Sequence, residues 1–178
     1  MRKARVMPKF SVIILFLLSS WSAMSIAQDK IQWMSIEEAE ELAQTSENPK
    51  KIFIDVYTDW CGWCKKMDQL TFNNPAVSNY MNTTFYMVKF NAESKDDVNV
   101  KGMTFSFVPS GRRGYHELAV ALTQGKLSYP TVVFLDPELN MITPLPGFRT
   151  ADPFLQIAKF IGDNIYQNTS WEDYVKSD

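Results

Sequence analysis

Along this 178-residue chain the apolar positions change rhythm several times, and each change predicts an element. Residues 10–18, FSVIILFLL, form a short apolar run with one serine. Ser35-Ile36-Glu37-Glu38 has capping-box spacing and predicts a helix to about Thr45, ahead of Pro49. Residues 51–59, KIFIDVYTD, are β-rich and mostly apolar, as in a strand buried on both faces. Asp55 is the charged residue in its interior. The segment CKKMDQLTF predicts a helix that Asn73-Asn74-Pro75 breaks, with a short helix following to about Met81. Residues 85–93 read as a second strand and 131–136, TVVFLD, as a third. Between them, 94–128 begins polar and carries turn signals at Pro109, Gly111 and Gly114, and 115–122 looks helical. Residues 141–146 read as a short edge strand limited by proline. Thr150 can cap a last helix in which Phe154, Ile157, Ala158, Ile161 and Ile165 recur at helical spacing. Strand, helix, strand, then two adjacent strands and a helix describe an α/β sandwich.

The leading segment changes the picture of where the chain works. Arg2, Lys3, Arg5 and Lys9 precede the apolar run, and small residues ending Ser25-Ile26-Ala27 follow it. That order is a secretory signal peptide, expected to be cleaved after Ala27. The run is shorter than the about 20 residues a spanning helix needs, so no stable membrane span is expected after processing. No cysteine lies near the cleavage region to carry a lipid. The expected organisation is a signal peptide over 1–27 and one domain over 28–178. With the leader's four bases removed, 14 bases face 20 acids, a net charge of −6. This balance argues against a nucleic-acid partner and against docking on an anionic membrane.

Cysteine usage sharpens the chemistry. Only Cys61 and Cys64 exist. A four-residue ring removes little entropy from the unfolded chain, so stapling is a poor reason to have one. Attack on a disulfide is made by a thiolate, and the start of a helix stabilises that anion through unpaired N–H groups and the helix dipole. Two intervening residues let Cys64, one turn deeper, reach the first sulfur. Cys61 then reads as the exposed nucleophile and Cys64 as the buried thiol that resolves the mixed disulfide. Gly62 allows close approach of a partner's backbone. A metal site would need two more ligands, and neither a second CxxC nor the lone His116 supplies them, so no metal is expected. His116 itself is expected to be an ordinary surface residue of a helix. Trp33, Trp171 and Tyr174 are expected to pack at the ends.

IFIDVYTDWCGWCKKM resembles the thioredoxin family, through its apolar strand, its acid and its Trp-Cys-x-x-Cys-Lys. Trp60, Cys61, Cys64 and Lys65 match that motif. Asp55, six before Cys61, matches the family's buried acid, and Val88-Lys89-Phe90-Asn91 the strand carrying its partner lysine. Tyr129-Pro130-Thr131 matches the cis-proline that lies against the active-site disulfide, and Gly147 the glycine after the last strand. Thr71-Phe72, Pro75 and Val77 are also similar to the C-terminal thioredoxin-like domain of the disulfide interchange protein DsbD. The likeness runs over about residues 48–165.

The resemblance implies a thioredoxin fold, with a central mixed β-sheet flanked by helices and an insertion, about 94–128, before the cis-Pro strand. It implies a redox-active Cys61–Cys64 disulfide served by Asp55 and Lys89. Trp60, Gly62, Trp63, Tyr129 and Pro130 form the expected substrate-binding surface. The implied activity is that of an exported, periplasmic or extracytoplasmic thiol–disulfide oxidoreductase, more a reductant or isomerase helper than an oxidant. It would need no bound cofactor. Its partners would be protein clients with thiols or disulfides and a protein electron donor. Gly-Trp stands where thioredoxin has Gly-Pro, and that dipeptide tunes the direction of electron flow. The alternative is a peptide-binding or chaperone module with a static Cys61–Cys64 disulfide.

Overall fold

A computed structural model describes residues 30–177, so the leader expected over 1–27 lies outside the described residues. The three apolar runs are the centre of a five-stranded sheet. They are β2 (Lys51–Tyr57), β3 (Phe85–Asn91) and β8 (Thr131–Leu135), with β1 (Trp33–Met34) and β9 (Met141–Pro146) at the edges. The strand order is β1-β3-β2-β8-β9, with β1, β3 and β2 parallel and β8 and β9 antiparallel to their neighbours. This is the mixed sheet the resemblance implies. Pro144 and Pro146 sit on β9, an edge, where a missing N–H costs no ladder bond on the open side.

Because side chains alternate along a strand, β2 feeds two cores. Ile52, Ile54 and Val56 join Val88, Val133 and Leu135 beneath α1 (Ile36–Thr45) and α4 (Glu117–Leu122). Phe53 joins Met87, Val132 and Phe134 on the other face, with Met67, Phe72, Met81 and Phe154. Those last four come from α2 (Gly62–Met67), the turn after it, α3 (Pro75–Thr84) and α5 (Ala151–Gly162). Asp55 shares the Phe53 side of β2 and therefore lies on the face that the CxxC helix covers. The capping box read at Ser35 is present, whereas Thr150 stands at the N-cap position of α5 without a side-chain cap bond, and Asn74, read only as part of a helix break, is a cap. Ser35 and Glu38 close a capping box on α1, and Asn74 accepts from Ala76 and Val77 ahead of Pro75 at the start of α3. Helix α2 runs on through a wider π-type turn, Asp68–Phe72, before Asn73.

Residues 94–128 hold more structure than the sequence indicates. Two short hairpins, β4 (Val98–Val100) with β5 (Met103–Phe105) and β6 (Phe107–Val108) with β7 (Tyr115–His116), precede α4. Tyr115 and His116 therefore belong to a strand, and the expected helix starts two residues late. The chain ends on α6 (Trp171–Ser177). There Trp171 and Tyr174 pack on Phe160, although Trp171 stays 36% exposed.

His116 is the clear correction. It is wholly buried, not a surface residue. Its Nδ1 accepts from the Leu118 N–H at 3.2 Å and caps α4. The proton is thereby assigned to Nε2, which donates to the Asp96 carbonyl at 3.0 Å, while the ring meets Phe90 edge-on. A lone histidine at the first position before a helix is a capping residue here because both ring nitrogens find backbone partners. His116→Ala should cost about 2–3 kcal/mol, from the lost cap, the cavity and the freed Asp96 carbonyl. Urea unfolding checks this, and a loss below about 0.5 kcal/mol would show the ring to be dispensable.

Candidate functional site

The strand β2 ends at Tyr57, and Thr58, Asp59 and Trp60 carry the chain to Cys61, the N-cap of α2. The Cys61 N–H donates to the Thr58 carbonyl at 3.0 Å, which sets the turn. Cys61 and Cys64 form a disulfide with their Cα atoms 5.3 Å apart. The Cys61 Sγ accepts from the Cys64 N–H at 3.1 Å, so this sulfur occupies the place a capping oxygen takes at other helices. Exposure does not separate the pair as expected: Cys61 is 4% exposed and Cys64 3%. The difference between them is positional: Cys61 is the N-cap of α2, and Cys64 lies within its first turn.

Asp55 pairs in register with Lys89 on β3 and Val132 on β8, and its side chain is 1% exposed. Lys89 Nζ stands 3.4 Å from its Oδ2, yet neither carboxyl oxygen has a hydrogen bond. The Thr58 hydroxyl beside the motif is also buried without a partner. Lys89 is shared, because it also donates to Asp68 Oδ1. Its ammonium lies 5.0 Å from the Trp33 ring centre and 5.1 Å from that of Tyr57. Burial pushes the Asp55 carboxyl up from 3.8 to about 7; Lys89 pulls it down and the Asp68 carboxylate raises it further. An acid held near neutrality can give or take a proton under ordinary conditions.

The rim is aromatic. Trp60 is 52% exposed and Trp63 56%. Trp60 meets the Tyr129 ring edge-on at 6.1 Å and donates through Nε1 to Glu93 Oε1 at 2.9 Å. Trp63 leans on Phe148 at 5.4 Å, with Lys66 Nζ 4.4 Å over its ring. The Tyr129–Pro130 bond is cis. The Pro130 carbonyl accepts from the N–H of Gly147, whose φ of +92° suits glycine. At Gly62 a Cβ would meet nothing within 4 Å, so packing does not require glycine there and that side lies open.

The structure thus places Cys61, Cys64, Trp60, Gly62 and Trp63 on one turn, and brings Tyr129 against Trp60 and Lys89 against Asp55. Sequence reasoning missed Asp68, Glu93, Arg113 and Phe148. Asp68 was within reach, since it stands four residues after Cys64 and thus on the same side of the helix. The other three come close only through tertiary packing.

Residues 16–156 match a family model described as Thioredox_DsbH, protein of unknown function, DUF255. The thiol:disulfide interchange protein DsbD of Vibrio vulnificus (strain YJ016) is 27% identical over 148 residues, covering 78% of this chain and 22% of that protein. An uncharacterized protein of Caenorhabditis elegans is 30% identical over 117 residues, or 66% of this chain and 14% of its own length. The chain therefore spans less than a quarter of either relative. A solved thioredoxin-fold protein from Helicobacter pylori shares the fold, with a TM-score of 0.54 at 23% identity over 72% of this chain and 79% of that one.

Proposed function

The chain belongs to the Thioredox_DsbH family of thioredoxin-like proteins, and from that premise we propose that it is an exported thiol–disulfide oxidoreductase working on protein clients through Cys61 and Cys64. One observation carries the reading: the CxxC disulfide sits on the first turn of α2, where Cys61 takes an N–H bond on its sulfur. In the reduced protein that N–H and its neighbours favour a thiolate at Cys61. The thiolate attacks a client disulfide, forming a mixed disulfide and releasing one client thiol. Cys64 then attacks Cys61, the second client thiol leaves, and Asp55 receives the Cys64 proton. Two electrons pass to the client and the pair ends oxidised. A protein donor returns them.

The direction we favour is reduction. A buried carboxylate opposes thiolate formation nearby, so it offsets part of the anion stabilisation by which the helix start lowers the reduced form, and leaves the pair a better reductant than the helix start alone would. The residue composition of 1–27 supports export to a periplasmic or extracytoplasmic space, leaving 28–178 as the working domain with 94–128 as an insertion. Among the described residues no helix is long and apolar enough to cross a membrane. Equilibration in glutathione buffers should give a reduction potential toward the thioredoxin end, roughly −270 mV; a value near roughly −120 mV would reverse the direction. With dithiothreitol as donor the protein should speed insulin reduction, and the Cys61→Ser/Cys64→Ser variant should add nothing to the slow reduction by dithiothreitol alone. Equal insulin precipitation with both proteins would mean a static disulfide.

A further inference from the structure

The hairpin β6–β7 reaches the active-site mouth and brings charge to it. Its turn, residues 109–114, reads PSGRRG. Gly114 has φ +113°, and a Cβ there would stand 2.3 Å from the Phe107 ring and 2.6 Å from the Val108 carbonyl, so the turn accepts only glycine. The hairpin's base is bolted down. The His116 N–H donates to Ala92, just past β3, at 2.8 Å, and Glu117 binds Ser106 through both its N–H and its carboxylate. The buried His116 ring anchors the same corner. From this fixed base Arg113 extends until its guanidinium lies 4.4 Å over the ring of Trp60, the residue before Cys61. The same side chain also meets Glu93 and Tyr129.

Arg113 is exposed, and so is Arg112. Among the described residues neither has a carboxylate at ion-pair distance. Of the acids beside Trp60, Glu93 accepts from its indole N–H, and Asp59, the residue before it, accepts from Asn91 at 3.1 Å. Stacking occupies the flat face of a guanidinium and leaves its N–H edge free to bind a carboxylate at two points. We propose that this hairpin is a client-selecting lip, in which Arg113, held on Trp60, recognises an acidic side chain flanking the client's half-cystine. The proposal rests on the oxidoreductase reading and adds a substrate preference to it. The aromatic surface would then supply contact area common to all clients, and the lip would supply the discrimination.

Two peptide disulfides identical except for Glu or Lys beside the half-cystine test it. The reduced protein is mixed rapidly with each, and kcat/KM is read from release of the peptide thiol. The Glu peptide should react about two- to fivefold faster, the range an exposed ion pair supplies, and the ratio should fall toward one in 1 M salt. Arg113→Ala should bring the ratio toward one, Arg113→Glu should invert it, and Arg113→Lys should keep part of it. Parent and Arg113→Ala giving the same ratio would overturn the lip, as would a parent ratio of one. Failure of the parent to react with either peptide would overturn the oxidoreductase reading, and the lip with it. A Glu peptide that reacts faster with a ratio indifferent to Arg113 would move selection elsewhere on the rim.

Discussion

Cys64→Ser should accumulate as mixed disulfides with client proteins, at about tenfold or more the level of Cys61→Ser, since up to about 2 kcal/mol of anion stabilisation is available at a helix start. The two positions have nearly equal exposure, 4% and 3%, so access alone would predict equal trapping. The N-cap geometry predicts otherwise. Cys61 Sγ already accepts the Cys64 N–H, and an anion gains more from that bond than a neutral thiol does. Serine at 64 keeps the turn and removes the resolving sulfur, so attack proceeds and release does not. Serine at 61 removes the favoured nucleophile and leaves Cys64 inside the turn. Non-reducing gels and intact-mass measurement after acid quenching read the trapped species. Equal yields from both variants would mean that position on the helix does not assign the roles.

How much of this could be read beforehand depends on the length scale of each signal. The central strands β2, β3 and β8 are apolar runs of five to seven residues, buried on both faces, and such runs announce themselves. Ser35 marks a helix start by local hydrogen bonds, which depend on spacing alone, and Asn73-Asn74-Pro75 marks where one helix stops and the next begins. Strands β1, β6 and β7 are two residues each, too short for any periodicity, and they exist because a neighbour pairs with them. His116 was misplaced for the same reason. Its burial follows from Phe90 and Asp96, which are distant in sequence. At the site, the CxxC turn and Asp55 were legible because their chemistry is local: one needs a helix start, the other stands out as a charge in an apolar strand. Lys89 and Pro130 were reached through family resemblance alone. The contact of Arg113 with Trp60 joins residues 53 apart in sequence and leaves no local trace.

Asp55→Asn should separate catalysis from stability at a single atom pair. Its carboxyl sits near 7 in the oxidised protein because desolvation outweighs Lys89. A base of that strength is matched to accept the Cys64 proton at neutral pH, and general bases typically contribute 10²–10⁴-fold. In the variant, resolution of the mixed disulfide should slow by about a hundredfold at neutral pH, while the first attack by Cys61 stays nearly unchanged. The pH dependence of the resolving step, rising through about 7 in the parent, should lose that midpoint. Stability should move the other way. A folded-state value above the ordinary 3.8 means that folding favours the protonated acid. Its contribution is fully present below about pH 4 and is lost as pH rises through about 7. A displacement from 3.8 to about 7, at about 1.4 kcal/mol per pH unit, corresponds to on the order of 4 kcal/mol. Oxidised Asp55→Asn should therefore resist urea better than the parent at pH 8, and the advantage should shrink toward pH 4. If stopped-flow measurement shows both chemical steps unaffected across the neutral range while the stability difference appears, Asp55 is a buried charge that shapes local electrostatics, and the proton of Cys64 leaves by another route.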